Sequence, residues 1–163
     1  MPKEPVAETA TAPKVRKLLP RDLAAVIRID AAHRGASQPA YWRAVFSRYL
    51  RPRDGTRSFG LGIDDDPGLI AFLFGEVRAF EFGAEPAGWI FAVGVDPSWM
   101  RRGHARALLD EARRRFTRLG IDRVRTMVRR DDVPILAFFR TAGFVGGPFV
   151  HLDLRLPGAP GPT

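Results

Sequence analysis

The stretch Val95-Asp96-Pro97-Ser98-Trp99-Met100-Arg101-Arg102-Gly103-His104-Ala105-Arg106-Ala107-Leu108-Leu109 decides how the chain is read. An apolar strand ends at Pro97, and a small-residue turn then opens directly into an amphipathic helix. The first turn of a helix has N–H groups with no acceptor inside the helix, and its dipole end is positive. Such a turn binds anionic oxygens without needing any particular side chain. Gly103 and Ala105 keep the backbone bare enough for a diphosphate to approach.

Outward from this turn, the pattern is one of alternating strands and helices. Val15 to Leu19 is a short strand, and Asp22 to Asp30 is a helix with Leu23, Val26 and Ile27 at helical spacing. After a break at Gly35 to Pro39, Tyr41 to Leu50 forms a second helix. Ser58 to Ile63 is a strand, and Asp64-Asp65-Asp66-Pro67-Gly68 is a hairpin turn leading into a long strand, Leu69 to Phe82. Trp89 to Val95 is nearly all apolar, as suits a central strand covered on both faces. The helix after the turn carries Ala105, Leu108, Leu109, Ala112, Phe116 and Leu119 on one stripe and stops at Gly120. Arg123 to Val128 is a further strand. A helix begins at Asp131-Asp132-Val133-Pro134, with a carboxylate cap and an early proline, and ends at Gly143. Val150 to Leu156 alternates apolar and polar residues and is expected to close the sheet. The fold class is mixed α/β, in one domain over residues 14–156 between Pro/Gly/Ala-rich tails at 1–13 and 157–163, which are expected to be disordered.

Composition narrows the function. The chain has 163 residues, 45% hydrophobic and 27% charged, and no cysteine. Disulfides, thiolate ligands and a cysteine acyl-enzyme are therefore excluded. The three histidines are far apart in sequence, and no metal site is expected. No apolar run reaches the ~20 residues of a membrane span, and residues 1–13 lack the apolar core of a secretory signal, so a cytoplasmic location is the expectation. Formal charge is +8. From Trp99 to Arg130 eleven arginines face Asp110, Glu111 and Asp122, so the whole surplus lies on the segment with the phosphate turn. Arginine gives planar multidentate contacts to phosphate. A solvated helix face accounts equally well for Arg113, Arg114, Arg115 and Arg118, and a nucleic-acid surface is a third reading of the same charge.

Three features together resemble the GCN5-related N-acetyltransferase (GNAT) family over about residues 14–156. They are the strand-turn-helix from Val95-x-Pro97 to Gly103-x-Ala105, the helix Phe138-Phe139-Arg140-Thr141-Ala142-Gly143-Phe144, and the element order. The resemblance implies a central, mostly antiparallel sheet flanked by helices and an acetyl-CoA-dependent N-acetyltransferase, without a metal, acting on a primary amine of a small molecule or of a peptide or protein. It implies that the backbone of Arg101, Arg102, Gly103, His104, Ala105 and Arg106 binds the cofactor diphosphate. Val93, Gly94 and Val95 would then bind the pantetheine amides and leave one N–H for the thioester carbonyl, with Phe138 and Phe139 flanking the arm. Asp132 stands where many members carry an asparagine near the cofactor, or it is a helix cap alone. A homodimer through a sheet edge is common in the family.

The chain departs from the family in places that matter. Met100 replaces the usual Gln or Arg at the start of the turn. Phe139 stands where many members carry a tyrosine that protonates the departing thiolate, and phenylalanine has no proton to give. Trp89, Ile90 and Phe91 contain no glutamate base, and Met127 on the next strand offers none. Acceptor-side candidates for the base are Asp30 and His33, between the first two helices, and Glu76 and Glu81 on the long strand. Tyr41, Trp42, Phe46 and Tyr49, with Phe80 and Phe82, form either core or the wall of an acceptor pocket. As a wall they favour an apolar or aromatic amine over a polyamine. A degenerate acyl-CoA-binding module is the alternative that the two missing catalytic groups raise.

Overall fold

A computed structural model describes residues 13–50, 57–66, 68–79, 85–154 and 156–157. The expected base Glu81, the aromatic residues Phe80 and Phe82, and nearly all of both tails lie outside the described residues. The chain divides into two compact units, Met1–Met127 and Val128–Thr163.

The first unit is built on a five-stranded sheet in the order β1 (Val15–Lys17), β2 (Ser58–Asp65), β3 (Gly68–Arg78), β4 (Ala87–Val95) and β5 (Val124–Arg125). The first four strands are antiparallel neighbours, and β4 and β5 run parallel. Between them come α1 (Leu23–Arg34), α2 (Pro39–Tyr49) and α3 (His104–Arg118). Side chains on successive strand residues take opposite faces. Phe72 and Phe74 of β3 accordingly pack with Val26 and Ile29 of α1 and with Trp42, Val45, Phe46 and Tyr49 of α2. Gly75, the next residue, turns to the other face, where an added Cβ would lie 3.2 Å from Phe116 of α3. Leu108, Leu109, Ala112 and Phe116 bury the stripe of α3. Each buried leucine or phenylalanine among them contributes roughly 1.5–3 kcal/mol of transfer free energy.

Element boundaries differ from the sequence expectation where local signals are weak. α1 runs one turn past Asp30, because Gly35 at φ +74° closes it by donating its N–H to Ala31 O at 2.8 Å. Asp30 and His33 are therefore on a helix and not in a connection. The third strand ends at Arg78, and the expected strand over 123–128 shrinks to Val124–Arg125.

The second unit contains α4 (Val133–Thr141), which begins where Asp132 Oδ1 accepts the Ile135 N–H at 3.3 Å. Phe139 is buried, with Phe138 and Phe144 rings each 5.0 Å away edge-on. The last strand expected over 150–156 is absent among the described residues, and Val150, Leu152, Leu154 and Leu156 are exposed. Alternation prepares a segment for a sheet, but strands exist only by pairing. The second unit contains no other strand among its described residues for this one to join.

Candidate active site

The end of β4 is fixed before the turn begins. Asp96 donates its N–H to Ile70 O at 2.7 Å, and its carboxylate accepts the Ser98 N–H at 3.0 Å, opening a 3-10 turn over Pro97–Trp99. Arg28 of α1 reaches the same carboxylate, and its guanidinium holds Asp96 below the usual carboxylate range. His33 of α1 donates Nε2–H to Val95 O at 2.6 Å. Two side chains of one helix thus staple the strand end. Neither the Arg28 nor the His33 contact has a local signal in the sequence, since each spans more than sixty residues.

The turn itself has the backbone that an anion site needs. Arg101 at φ +61° and Gly103 at φ +81° both take the left-handed conformation, one on each side of Arg102. A non-glycine residue there is uncommon, and alternation of this kind turns successive N–H groups toward one point. The first bond inside α3 is Ala107 N–H to Gly103 O at 2.9 Å, so the His104, Ala105 and Arg106 N–H groups have no helical acceptor. A Cβ on Gly103 would meet nothing within 4 Å, so the space in front of the turn is open. Arg102 lies over the Trp99 ring at 4.8 Å, and Arg106 pairs with Asp110 at 3.2 Å. The side chain of His104 points away from this opening: it is 9% exposed, and neither ring nitrogen has a partner. Burial lowers its pKa, and Arg102 adds to the effect against an opposing pull from Asp65.

Among the described residues β4 also has a free edge. It pairs with β5 only at Gly88 and Trp89, and the β3–β4 register slips between Phe74 and Gly75, leaving Phe91 without an opposite residue. This is a bulge at the point where β4 and β5 part. Because Asp96 faces β3, Gly94 and Ala92 do too, and Val93 and Val95 present their N–H and C=O groups to the other edge. The three strand residues expected to act alike therefore divide. Val93 and Val95 supply backbone groups, one carbonyl of which His33 already holds. Gly94 supplies room, since a Cβ there would lie 2.6 Å from the Phe72 ring.

The candidate bases fare differently. Asp30 is buried and accepts Trp42 Nε1–H at 2.9 Å and Arg34 Nε–H at 2.8 Å, which makes it a structural staple between α1 and α2. Trp42, Phe46 and Tyr49 are core, and among the described residues of that aromatic group only Tyr41 is exposed. Glu76 is 6% exposed and accepts Arg78 Nε–H at 2.6 Å and Arg48 at 3.4 Å. The Tyr49 hydroxyl lies against it, and burial together with that carboxylate pushes the tyrosine up to about 12. Register places Ser58, Glu76 and Trp89 in one row across β2, β3 and β4. Arg48, Arg78 and Ser58 escaped the sequence reading, and Tyr49 and Trp89 were read without Glu76 as a neighbour, because only strand register and the packing of α2 on the sheet assemble them.

The chain matches the acetyltransferase (GNAT) family over residues 23–144. It belongs to that family. Over 63 residues it is 35% identical to the mycothiol acetyltransferase of Saccharomonospora viridis, a match covering 39% of this chain and 21% of that protein. Among solved structures, AAC(6')-Iy, an aminoglycoside N-acetyltransferase determined with CoA, superposes with a TM-score of 0.75 at 16% identity, over 92% of this chain and 99% of its own. The aminoglycoside 6'-N-acetyltransferase AAC(6')-IG of Acinetobacter haemolyticus gives 0.71 at 18% identity, over 88% and 99%. A transcriptional regulator of Bacillus halodurans C-125 gives 0.74 at 13%, over 88% and 99%. These three likenesses establish a GNAT fold shared by proteins with different described roles. No helix among the described residues is long and apolar enough to cross a membrane.

Proposed function

We propose that this GNAT protein transfers an acetyl group from acetyl-CoA to a primary amine by direct attack within a ternary complex, through the domain bounded by residues 14 and 156. The observation that carries the reading is the pairing of two left-handed residues, Arg101 and Gly103, at the mouth of α3 with the free edge of β4. The N–H groups of His104, Ala105 and Arg106 suit a diphosphate, and the Val93 and Val95 edge suits an extended amide chain. Acetyl-CoA supplies an acyl carbon bound to a fair leaving group, a thiol of pKa near 8.5. Val93 N–H, the free donor nearest the bulge, is placed to stabilise negative charge on the carbonyl oxygen, an effect of roughly 2.7–4 kcal/mol for one good donor. The amine nitrogen forms the new N–C bond as the C–S bond breaks, the nitrogen gives up a proton, and the thiol departs with one. Asp132 serves as a helix cap.

A catalytically degenerate acyl-CoA-binding module is the second reading, favoured by Phe139, which has no hydroxyl, and by the acid-free segment Trp89-Ile90-Phe91. A nucleic-acid surface is disfavoured because the positive charge coincides with a turn suited to the phosphate of a small cofactor, and the two carboxylates of α3 engage its five arginines. Glu111 pairs with Arg114, Arg115 and Arg118, and Asp110 pairs with Arg106 and Arg113. Calorimetric titration with acetyl-CoA, beside Gly103→Glu, separates the readings. Saturable one-to-one binding that the variant loses supports the cofactor site, and amine-dependent thiol release adds catalysis. Binding without release by any amine favours the module. Normal binding by Gly103→Glu refutes the site.

A further inference from the structure

α1 approaches β4 closely at a glycine. A Cβ on Gly94 would lie 3.3 Å from Ile29 Cγ2 and 2.6 Å from the Phe72 ring, so the absent side chain is what lets the helix lie this near the strand. Residues four apart share one face of a helix, and His33 therefore stands one turn beyond Ile29, over the end of β4. There its Nε2 meets Val95 O at 2.6 Å, while the ring stays exposed to solvent.

This contact fixes the chemistry of the ring. A carbonyl oxygen only accepts, so Nε2 carries the hydrogen of the bond. In the neutral imidazole Nδ1 then holds the lone pair, because the bond made by one nitrogen sets the state of the other. Nδ1 has no hydrogen bond among the described residues. Asp30 and Glu76, the other described candidates for the base, differ in this respect: each is buried with both oxygens already hydrogen-bonded. The charges around the corner are paired on α1 and β4, Arg28 with Asp96 and Arg34 with Asp30. Arg101 and Arg102 follow on the turn after Asp96. α2 contributes Tyr41, whose phenol burial holds above its usual range, so that it stays protonated at neutral pH.

We propose that His33 is the general base of the acetyl transfer, taking the proton of the attacking amine on Nδ1 through one water. Val93, whose N–H is placed at the thioester oxygen, lies two residues back along the same edge, about 7 Å at 3.3 Å per residue, and an imidazole with one bridging water covers a span of that order. As the N–C bond forms and the C–S bond breaks, the proton passes from the amine nitrogen to Nδ1, and Nε2–H stays on Val95 O. The thiolate takes a proton from solvent and the imidazolium returns one, so protons and charge balance. The inference rests on the acetyltransferase reading and goes beyond it by naming the group that receives the amine proton.

The test uses the full chain with saturating acetyl-CoA, phenethylamine and sisomicin as acceptors, and thiol release followed across pH. Glutamine at this position separates a base from a staple, because its amide N–H can still donate to Val95 O but its nitrogen takes up no proton. Wild-type kcat should rise through a limb between about pH 5 and 8, where imidazole titrates. His33→Gln should lose that limb and lower kcat about 100-fold or more at neutral pH, with the urea midpoint and the calorimetric affinity for acetyl-CoA unchanged. Added imidazole should restore part of the rate to His33→Ala, and His151→Gln should behave as wild type. A His33→Gln protein that keeps the wild-type rate and pH profile overturns the inference and leaves the acetyltransferase reading standing. The same holds for an Nδ1–H tautomer of His33 in nitrogen NMR, or for a loss of rate with an unchanged pH profile and no rescue by imidazole. If neither amine drives thiol release from the wild type, the acetyltransferase reading falls and the base falls with it.

Discussion

Replacing His104 with leucine should stabilise the protein, although the residue sits in the turn proposed to hold the cofactor. The imidazole is 9% exposed, its two nitrogens have no partner, and its nearest described ring contact is the Trp99 edge at 6.1 Å. A buried polar group without a partner costs about 1–3 kcal/mol. Leucine has a similar volume, keeps the apolar contacts and has a better helix propensity by a few tenths of a kcal/mol. The expected gain is about 1–2 kcal/mol at pH 7.5, or roughly 3–6 °C in Tm for a chain of this size. The pH dependence fixes the sign independently. Burial, reinforced by Arg102, holds the folded imidazole below its ordinary 6.5, so the unfolded chain takes up the proton first as pH falls. The wild type therefore loses stability below about pH 6.5, by at most about 1.4 kcal/mol at pH 5.5, and His104→Leu escapes this loss. Urea denaturation of both proteins at pH 7.5 and 5.5 measures both effects. A variant less stable than wild type at pH 7.5, or a stability difference that does not widen on acidification, would refute the orphaned-imidazole argument. Acetyl-CoA affinity should survive the change, because the cradle's donors belong to the backbone.

Two further predictions concern stability. Asp30→Ala leaves Trp42 Nε1–H buried without an acceptor and should cost about 1–3 kcal/mol in urea denaturation, against a smaller loss for Asp30→Asn, which keeps an acceptor oxygen; equal losses would remove the role given to the Trp42 hydrogen bond. Asp132→Ala removes the cap on α4 and should cost about 1 kcal/mol, with Asp132→Ser recovering most of it, and a variant as stable as wild type would mean that the cap contributes nothing.

Local chemistry made much of the molecule legible in sequence. The turn at Met100–Arg106, the stripe of α3 and the Asp132 cap of α4 follow from residues a few positions apart, and the family match over 23–144 agrees with the resemblance they suggested. The missing acid on β4 and the phenylalanine at 139 are likewise facts of the sequence. Reading failed where an answer depended on a remote partner. The alternating pattern of Val150–Leu156 promised a strand but could not supply a neighbour. Asp30 passed as a candidate base because nothing near it in the chain reveals Trp42, twelve residues away, as its hydrogen-bond donor.

What the sequence determined by itself is therefore the turn into α3, the cap of α4, the fold family and the absence of a cysteine nucleophile, all of which depend on short-range geometry or on composition. What the tertiary structure decided is the bulge at Phe91, the division of labour among Val93, Gly94 and Val95, the burial of His104, and the row that joins Ser58, Glu76 and Trp89. Each depends on strand register, and a register brings together residues whose separation along the chain carries no signal of their contact.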